Sequence, residues 1–309
     1  MISFNRIICG IDFSDASRHA LDHAIAVARW YESELTVLHV LTERPPVDMI
    51  PSLASRLPRA PIESSVERQK AVLQAARQFV VESGTDSVDI EVLVQDAPDV
   101  FTEILVQSDL RKADLIVLGT HGHSGFGRLL LGSVAEQVLR KATAPILIVP
   151  PRTERVPPSQ RPPFKQMLCP IDFSTSSIDG LAYAMSFAED ADASLTLLHV
   201  IDVSPELRDD EEIGNLTIGA MMAKAEAARA RRLNALVPTA VRGWCEVDVV
   251  VKHGRPSTEI DRLARDRESD LIVMGVHGRG AIDRVLFGSK THEVLRLATC
   301  PVLTVRSGR

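Results

Sequence analysis

Several features that mark particular protein classes are scarce or missing in this 309-residue sequence. No apolar run reaches the roughly 18 residues that a membrane-spanning helix needs, so we expect no membrane partner. Positive charge is not in excess, because the formal net charge is -6 at pH 7, and this argues against broad electrostatic binding to DNA or RNA. Aromatic residues are only 4% of the chain, too few to provide stacking platforms for single-stranded nucleic acid.

Cysteine is also scarce. The four cysteines form no C-x-x-C pair and no metal-ligand spacing. Cys9, Cys169 and Cys300 lie in or beside apolar strand-like runs, which predicts buried, reduced thiols. The N-terminal residues 1–6 lead directly into a strand-like run and lack the layout of a secretory signal. A cytoplasmic protein is therefore expected.

The sequence does contain an internal repeat. Three blocks recur, at residues 9–14 and 169–174, 35–40 and 195–200, and 114–149 and 270–305. A missed repeat would misassign the whole fold, and two copies of one domain explain these blocks most simply. The proline-rich segment 151–163 forbids helix and central strand, and favours an extended spacer. The predicted organisation is a first domain at 1–150, a linker at 151–163 and a second domain at 164–309.

Within each copy, strand-like and helix-like patterns alternate. Strands rich in Val, Ile and Leu and separated by helices predict an α/β fold, namely two tandem open parallel sheets with helices on both faces. In copy one the predicted strands are 6–12, 35–41, 88–94, 115–119 and 146–149. The helices predicted after the second strand are 63–82, 98–110 and 133–141, and Pro98 lies in the first turn of the helix at 98–110. Ligands on such sheets bind beyond the carboxyl ends of the strands, so Ile11, Asp12, Val40, Gly119 and their counterparts are candidate site residues.

A glycine-rich block follows the fourth strand of each copy, GTHGHSGFGRLLLGS at 119–133 and GVHGRGAIDRVLFGS at 275–289. Gly119 lets a backbone or a ligand approach closely, because it has no Cβ. Gly132-Ser133 and Gly288-Ser289 begin helices, whose free N–H groups and positive dipole end attract anions. The glycines could serve only as a turn, but identical spacing in two copies favours phosphate binding.

This block matches neither a P-loop nor a Rossmann G-x-G-x-x-G fingerprint. It resembles the nucleotide-binding motif G-x2-G-x9-G-[ST] of the universal stress protein family. The Ile-Asp of the first strand and the Ala-Thr-x-Pro at the entry to the last strand also agree with that family. The resemblance covers both halves of the chain and is of the tandem type. It implies a Rossmann-like sheet of the adenine nucleotide alpha hydrolase-like kind in each half.

The resemblance further implies ATP, or a related adenine nucleotide, on each competent domain, together with a divalent cation such as Mg2+. Asp12 and Asp172 would contact the ribose or the metal–phosphate region, and Val40 and Val200 would meet adenine mainly through their backbone. The implied nucleotide-binding residues are Ile11, Asp12, Val40, Gly119, Gly122, His123, Gly132 and Ser133 in copy one, and Ile171, Asp172, Val200, Gly275, Gly278, Arg279, Gly288 and Ser289 in copy two.

The two copies differ in charge near the predicted phosphates. Copy two has Arg279 where copy one has His123, which is mostly neutral at pH 7 at its ordinary pKa of about 6.5. Copy two also has Gly254 after its third strand, and the alignment places Asp96 at that position in copy one. A carboxylate there would repel phosphates, so copy two is predicted to be the tighter site.

Other polar residues have simpler interpretations. His39 and His199 occupy equivalent positions, as do His121 and His277, and the repeat explains this pairing without a metal. Ser14 and Ser174 lack the G-x-S-x-G context of a nucleophile, so helix capping is the expected role.

Three functional classes are considered, and the first of them is favoured. The first is a stress-response regulator that binds ATP and signals through conformation or partners. The second is an enzyme on the same fold, such as a slow ATPase, although no catalytic residue is assigned. The third is a scaffold without ligand. The resemblance also implies that the last strands, 146–149 and 302–305, mediate domain pairing, which would give an intramolecular pseudo-dimer; association of whole chains into a homodimer is left open.

Overall fold

The computed structural model describes residues 2–42, 65–84, 88–120, 131–151, 164–202, 215–276 and 289–306. The chain forms two compact units, residues 1–163 and 164–309. The proline-rich linker predicted at 151–163 lies almost entirely outside the described residues. Among the described helices, none is both long enough and apolar enough to cross a membrane.

Unit 1 alternates strands and helices. Its strands are β1 (Arg6–Gly10), β2 (Glu34–Leu41), β3 (Ile90–Asp96), β4 (Leu115–Gly119) and β5 (Ile146–Val149). Its helices are α1 (Asp15–Tyr31), α2 (Ser65–Val81), α3 (Val100–Arg111) and α4 (Ser133–Lys141). The predicted order of elements is confirmed.

The sheet of unit 1 is parallel throughout, with spatial order β3-β2-β1-β4-β5. The chain winds outward from β1 to β3 and then returns to place β4 on the other side of β1. The order therefore reverses between β1 and β4, and a crevice forms at such a switch point beyond the carboxyl ends of the strands. Asp12 and Gly119 lie at the ends of these two strands.

Unit 2 repeats this arrangement. Its strands are β6 (Gln166–Pro170), β7 (Ser194–Ile201), β8 (Glu246–His253), β9 (Leu271–Val276) and β10 (Val302–Arg306). Its helices are α5 (Thr175–Ala191), α6 (Asn215–Leu236), α7 (Pro256–Asp266) and α8 (Ser289–Leu297), with a short 3-10 turn at Val241–Gly243. All its strand pairs are parallel, in the order β8-β7-β6-β9-β10, so the switch point lies between β6 and β9.

The core of each unit follows from the sequence pattern. Strands β4 and β5 are apolar runs buried on both faces, as expected where helices cover a parallel sheet. Helix α1 turns its small and apolar residues, Ala20, Leu21, Ala24, Ile25 and Ala28, into the core at 0% exposure. This packing positions the first turn of α1 against the end of the sheet that carries the candidate site.

Three predicted boundaries need correction. The first strand ends at Gly10 rather than at residue 12, so Ile11 and Asp12 lie in the turn that follows it. The third strand is Ile90–Asp96 rather than 88–94, so it ends two residues later than the alternation suggested. The following helix begins at Val100, not Pro98, because Asp99 is its N-cap and accepts a hydrogen bond from the Thr102 N–H at 3.0 Å. Pro98 therefore precedes the cap, whereas Pro256 of unit 2 does lie in the first turn of its helix.

Candidate functional site

The turn after β1 holds the Asp12 carboxylate in a defined orientation. Asp12 Oδ1 accepts hydrogen bonds from the Ser14 backbone N–H at 3.0 Å and from the Ser14 hydroxyl at 2.5 Å. The same hydroxyl oxygen accepts a bond from the Ser17 N–H at 3.1 Å, which caps helix α1. Between them, Phe13 has a φ of +66°, a left-handed conformation that is uncommon for a bulky side chain. The predicted capping role of Ser14 is confirmed.

Unit 2 builds the same turn after β6. Asp172 Oδ1 accepts bonds from the Ser174 N–H at 2.9 Å and the Ser174 hydroxyl at 2.5 Å, and Ser174 caps α5 through the Ser177 N–H at 3.2 Å. Phe173 again has a φ of +66°. Strained conformations persist where the surrounding structure over-determines them, and they cluster at functional sites. The same aspartate turn, with the same hydrogen bonds, is therefore present in both units.

The histidines of the second strands brace these turns. His39 Nδ1 lies 2.9 Å from the Ile11 carbonyl, and His199 Nδ1 lies 2.7 Å from the Ile171 carbonyl. Because a carbonyl only accepts, Nδ1 carries the proton and donates in both cases. Each ring also packs against the strained phenylalanine, with centroids 4.7 Å apart.

Burial lowers the pKa of His199 below its ordinary value, so this ring favours the neutral form. In the described parts of the chain, no cluster of three or more His, Cys, Asp or Glu side chains could hold a metal ion. The bracing bonds therefore account for His39 and His199 as structural groups of the aspartate turn.

The glycine at the end of the fourth strand is required by helix packing. A Cβ on Gly119 would lie 2.9 Å from the carbonyl carbon and oxygen of Ala16, in the first turn of α1. A Cβ on Gly275 would overlap the Ser176 carbonyl and lie 2.5 Å from the Ser177 nitrogen. In both units, a helix backbone makes the close approach that the glycine was predicted to permit.

The helix after the glycine block begins where the sequence predicts. Gly132 is the N-cap of α4 and makes no side-chain cap, since it has no side chain, and its N–H donates to the Thr120 carbonyl at 2.6 Å. Ser133 is the first helical residue, and α8 begins at Ser289 in the same way. Five predicted site residues lie outside the described residues, namely Gly122, His123, Gly278, Arg279 and Gly288.

The described candidate residues share one edge of each sheet. Because all strands are parallel, the ends of β1, β2 and β4 lie side by side, and Ile11 donates its N–H to the Leu38 carbonyl at 2.9 Å. Val40 is 9% exposed, whereas Asp12 is half-buried. In unit 2, Ile171 is buried, Asp172 is exposed and Val200 is half-buried. The remaining described members at these edges are Gly119, Gly132, Ser133, Gly275 and Ser289.

The alignment of Asp96 with Gly254 is wrong. The Gly254 N–H donates to the Ile201 carbonyl, and its counterpart in unit 1 is the Ala97 N–H, which donates to the Leu41 carbonyl. Asp96 pairs with Leu41 in the sheet as His253 pairs with Ile201. Asp96 thus corresponds to His253, and a carboxylate in unit 1 occupies the position of a histidine in unit 2.

Polar side chains that were not among the predicted site residues lie beside the unit 2 site. Lys290 Nζ, in the first turn of α8, is 3.1 Å from Asp202 Oδ2, just after β7. His253 Nε2 is 3.3 Å from Glu226 Oε1 on α6. A lysine in the first turn of a helix opposes the helix dipole, and this conflict is the signal that could have drawn attention to Lys290.

The universal stress protein family model matches residues 3–150 and 163–306, that is, nearly the whole chain in two copies. The chain belongs to the universal stress protein family. It is 26% identical over 313 residues to a universal stress protein of Mycolicibacterium smegmatis, covering 97% of this chain and 96% of the relative. It is 28% identical over 316 residues to one of Mycobacterium tuberculosis, with 97% and 96% coverage.

Solved structures share the fold over nearly the whole chain. A universal stress protein of Archaeoglobus fulgidus superposes with a TM-score of 0.63 at 22% identity, covering 98% of this chain and 99% of that one. A protein described as a putative universal stress protein, from Pseudomonas aeruginosa, gives a TM-score of 0.64 at 16% identity, with 98% and 93% coverage. At these identities, the similarity establishes the fold of this universal stress protein.

A groove of about 310 Å³ in unit 1 lies at the opposite edge of the sheet from the candidate site. Its wall includes Arg111, whose guanidinium pairs with both oxygens of Glu91 at 2.5 and 3.0 Å and reaches the Thr36 hydroxyl at 3.3 Å. In unit 2, Arg267 pairs with Asp248 at the amino-terminal edge in a related way, at 2.6 Å. These ion pairs tie helix ends to strands, and the groove is separate from the candidate nucleotide sites.

Proposed function

We propose that this universal stress protein binds ATP, or a related adenine nucleotide, at the carboxyl edge of each sheet and acts as a nucleotide-dependent regulator in the stress response. One observation carries the proposal. In both units an aspartate on a braced turn lies at the switch point of a parallel sheet, beside the strand that leads into the glycine block. Such crevices are where ligands bind on open α/β sheets.

The chemistry of the edge suits a nucleotide. An ionised aspartate accepts hydrogen bonds, and the Ser14 and Ser174 bonds hold Asp12 and Asp172 ready to accept one from a ribose hydroxyl. The N–H groups at the start of α4 and α8 supply an anion site for phosphates. Since the chain has a net charge of -6, backbone amides and a few local cations must provide most of the attraction for an anionic ligand.

A divalent cation fits this arrangement. Mg2+ keeps several waters and takes one or two carboxylates together with phosphate oxygens. Each site offers an aspartate, Asp12 or Asp172, which is sufficient for a cation that arrives with the nucleotide. The bound ion would neutralise part of the phosphate charge, and these aspartates would be its protein ligands.

The polar and thiol side chains near the site already have structural roles, and this favours a regulatory role over an enzymatic one. The hydroxyls of Ser14 and Ser174 cap helices and bond to the aspartates. Cys9 and Cys169 are fully buried, and burial raises the pKa of both thiols far above the ordinary value. We further expect action in the cytoplasm. The two-domain division at 1–150 and 164–309, the intramolecular pseudo-dimer and homodimer formation remain predictions.

The test uses a substitution that separates binding from folding. Gly132→Asp places a carboxylate at the N-cap of α4, where aspartate is among the preferred residues, so the helix should keep or gain a few tenths of a kcal/mol. The same carboxylate would repel a phosphate; about 4 Å apart at an effective dielectric of 20, two unit charges interact by about 4 kcal/mol. Gly132→Asn is the matched control, because it caps equally well without charge.

Calorimetric titration of the full chain with ATP and Mg2+ provides the measurement. We expect the wild type and Gly132→Asn to bind at the unit 1 site, and Gly132→Asp to lose that binding with an unchanged melting temperature in the absence of nucleotide. At 100 times the dissociation constant, ATP should stabilise a binding unit by about 2.7 kcal/mol. ADP formed from added ATP would favour the slow ATPase instead, and a chain that neither binds nor hydrolyses ATP would refute both.

A further inference from the structure

An ion pair links the two sides of the unit 2 crevice. Lys290 Nζ and Asp202 Oδ2 are 3.1 Å apart, although 88 residues separate them in the chain. Lys290 belongs to α8, which follows β9, and Asp202 directly follows β7. Strand β6 lies between β7 and β9 in the sheet, and the turn after its carboxyl end carries Asp172. The pair therefore connects the β9 side of the site to the β7 side.

Lys290 is poorly explained by the needs of its own helix. The first turn of a helix favours negative charge, and a lysine there costs stability by opposing the dipole. Its side chain is 61% exposed and that of Asp202 is 55% exposed, so the ion pair itself contributes little. Lys290 thus destabilises its helix and gains little from its ion pair with Asp202. Binding of an anionic ligand explains its position better than helix stability does.

Unit 1 lacks this pair at the corresponding positions. Helix α4 begins with Ser133 as α8 begins with Ser289, so Val134 corresponds to Lys290. Likewise Thr42 follows β2 as Asp202 follows β7. Val134 and Thr42 carry no charge, so among the described residues an exposed cation lies in the first turn of this helix in unit 2 and not in unit 1.

We propose that Lys290 is a specificity residue of the unit 2 site, which selects nucleotides by their phosphate charge and exchanges Asp202 for a phosphate oxygen when the nucleotide binds. This inference rests on the proposed function of the same site. Three observations support it, namely the unfavourable place of Lys290 in α8, its reach across the crevice, and the exposure that lets it swing from one partner to another. Asp202 acts as a competitor that holds the ammonium group near the site.

The experiment compares ATP and adenosine in a full-length Gly132→Asp background, so that the unit 2 site reports alone. Lys290→Val, which copies unit 1, should raise the dissociation constant of ATP about tenfold, as expected for the loss of one charge-assisted hydrogen bond. Its affinity for adenosine, which lacks phosphate, should stay unchanged. Asp202→Asn should tighten ATP binding about threefold, because it removes the competing carboxylate while keeping the size of the side chain.

A second comparison controls for helix stability. Lys290→Gln keeps an unbranched, polar side chain without the charge, and should weaken ATP binding as Lys290→Val does. Equal loss of ATP and adenosine affinity in Lys290→Val, or weaker ATP binding in Asp202→Asn, would overturn the proposal while leaving nucleotide binding intact. A wild-type chain that binds neither ligand would instead refute the proposed function itself.

Discussion

The close contact between Gly275 and the first turn of α5 makes a sharp prediction about stability. A Cβ at Gly275 would overlap the Ser176 carbonyl, so either the helix or the strand must shift by more than an ångström. Overpacking of a core typically costs about 1–3 kcal/mol, and contact with backbone rather than with a flexible side chain belongs at the upper end. We expect Gly275→Ala to lower the unfolding free energy of unit 2 by about 3 kcal/mol.

The two units differ in this contact for a physical reason. Gly180 lies opposite Gly275 in unit 2, and a Cβ on Gly180 would lie 2.8 Å from the Gly275 nitrogen. The corresponding helix position in unit 1 is Ala20, so α1 keeps slightly more distance from Gly119. A Cβ on Gly119 would lie 2.9 Å from Ala16 backbone atoms, a conflict that a shift of a few tenths of an ångström relieves. Gly119→Ala should therefore cost about 1 kcal/mol, at the lower end of the range.

Urea denaturation of the nucleotide-free chain, with hydrogen exchange to assign each change to its unit, measures these differences. Gly219→Ala is the control of opposite sign, because no atom lies within 4 Å of its Cβ position on α6. This replacement should stabilise the helix by about 0.5–1 kcal/mol. Equal stability losses in Gly119→Ala and Gly275→Ala would refute the packing argument. A loss of nucleotide affinity at unchanged stability would show that Gly275 serves a ligand instead.

Two further predictions concern the site residues. Burial lowers the pKa of His199 in the folded state below its ordinary value of 6.5. As the pH drops, the unfolded chain therefore binds a proton at this residue before the folded chain does. The unfolding free energy of unit 2 should fall between about pH 6.5 and the lowered pKa. His199→Gln can still donate a hydrogen bond to the Ile171 carbonyl, but it should remove this part of the dependence of the unfolding free energy on pH. Urea denaturation between pH 5 and 8 measures that dependence, and the same dependence in the variant and the wild type would contradict the prediction. For the ranking of the sites, Gly288→Asp should remove the tighter phase of ATP binding in a calorimetric titration and Gly132→Asp the weaker one; the reverse assignment would refute the ranking.

The sequence predicted best those elements whose ends carry strong local signals. The strand Leu115–Gly119 and the helix Ser133–Lys141 have the predicted bounds, because a glycine ends the first and a Gly-Ser pair starts the second. Strand β3 was misplaced by two residues, since it lies at the edge of its unit's sheet and is only partly buried, so its alternation is weak. Asp99 was missed as an N-cap because the neighbouring Pro98 gives an equally strong signal for a helix start.

Contacts between distant segments could not be predicted from the sequence. His39 and His199 stabilise the aspartate turns by hydrogen bonds to carbonyl groups 28 residues earlier in the chain. The ion pair of Lys290 depends on a residue 88 positions away. Repetition predicted that the histidines would be equivalent, but only the folded backbone shows which atom each ring meets. The one-residue error in aligning Gly254 arose because sequence similarity fades in the middle of each copy.

The corrected alignment changes the basis of the predicted inequality between the two sites. Asp96 now corresponds to His253, so the third strand ends with a carboxylic side chain in unit 1 and with an imidazole in unit 2. Lys290 adds a cation at the start of α8, where unit 1 has Val134. Both residues face a carboxylate of their own unit, since Lys290 lies 3.1 Å from Asp202 and His253 lies 3.3 Å from Glu226. The predicted advantage of unit 2 therefore depends on the exchange of Asp202 for a phosphate oxygen at Lys290. We therefore predict that unit 2 binds a phosphate-bearing ligand more tightly, and that unit 1 binds ligands of lower charge or depends on a cation at Asp12.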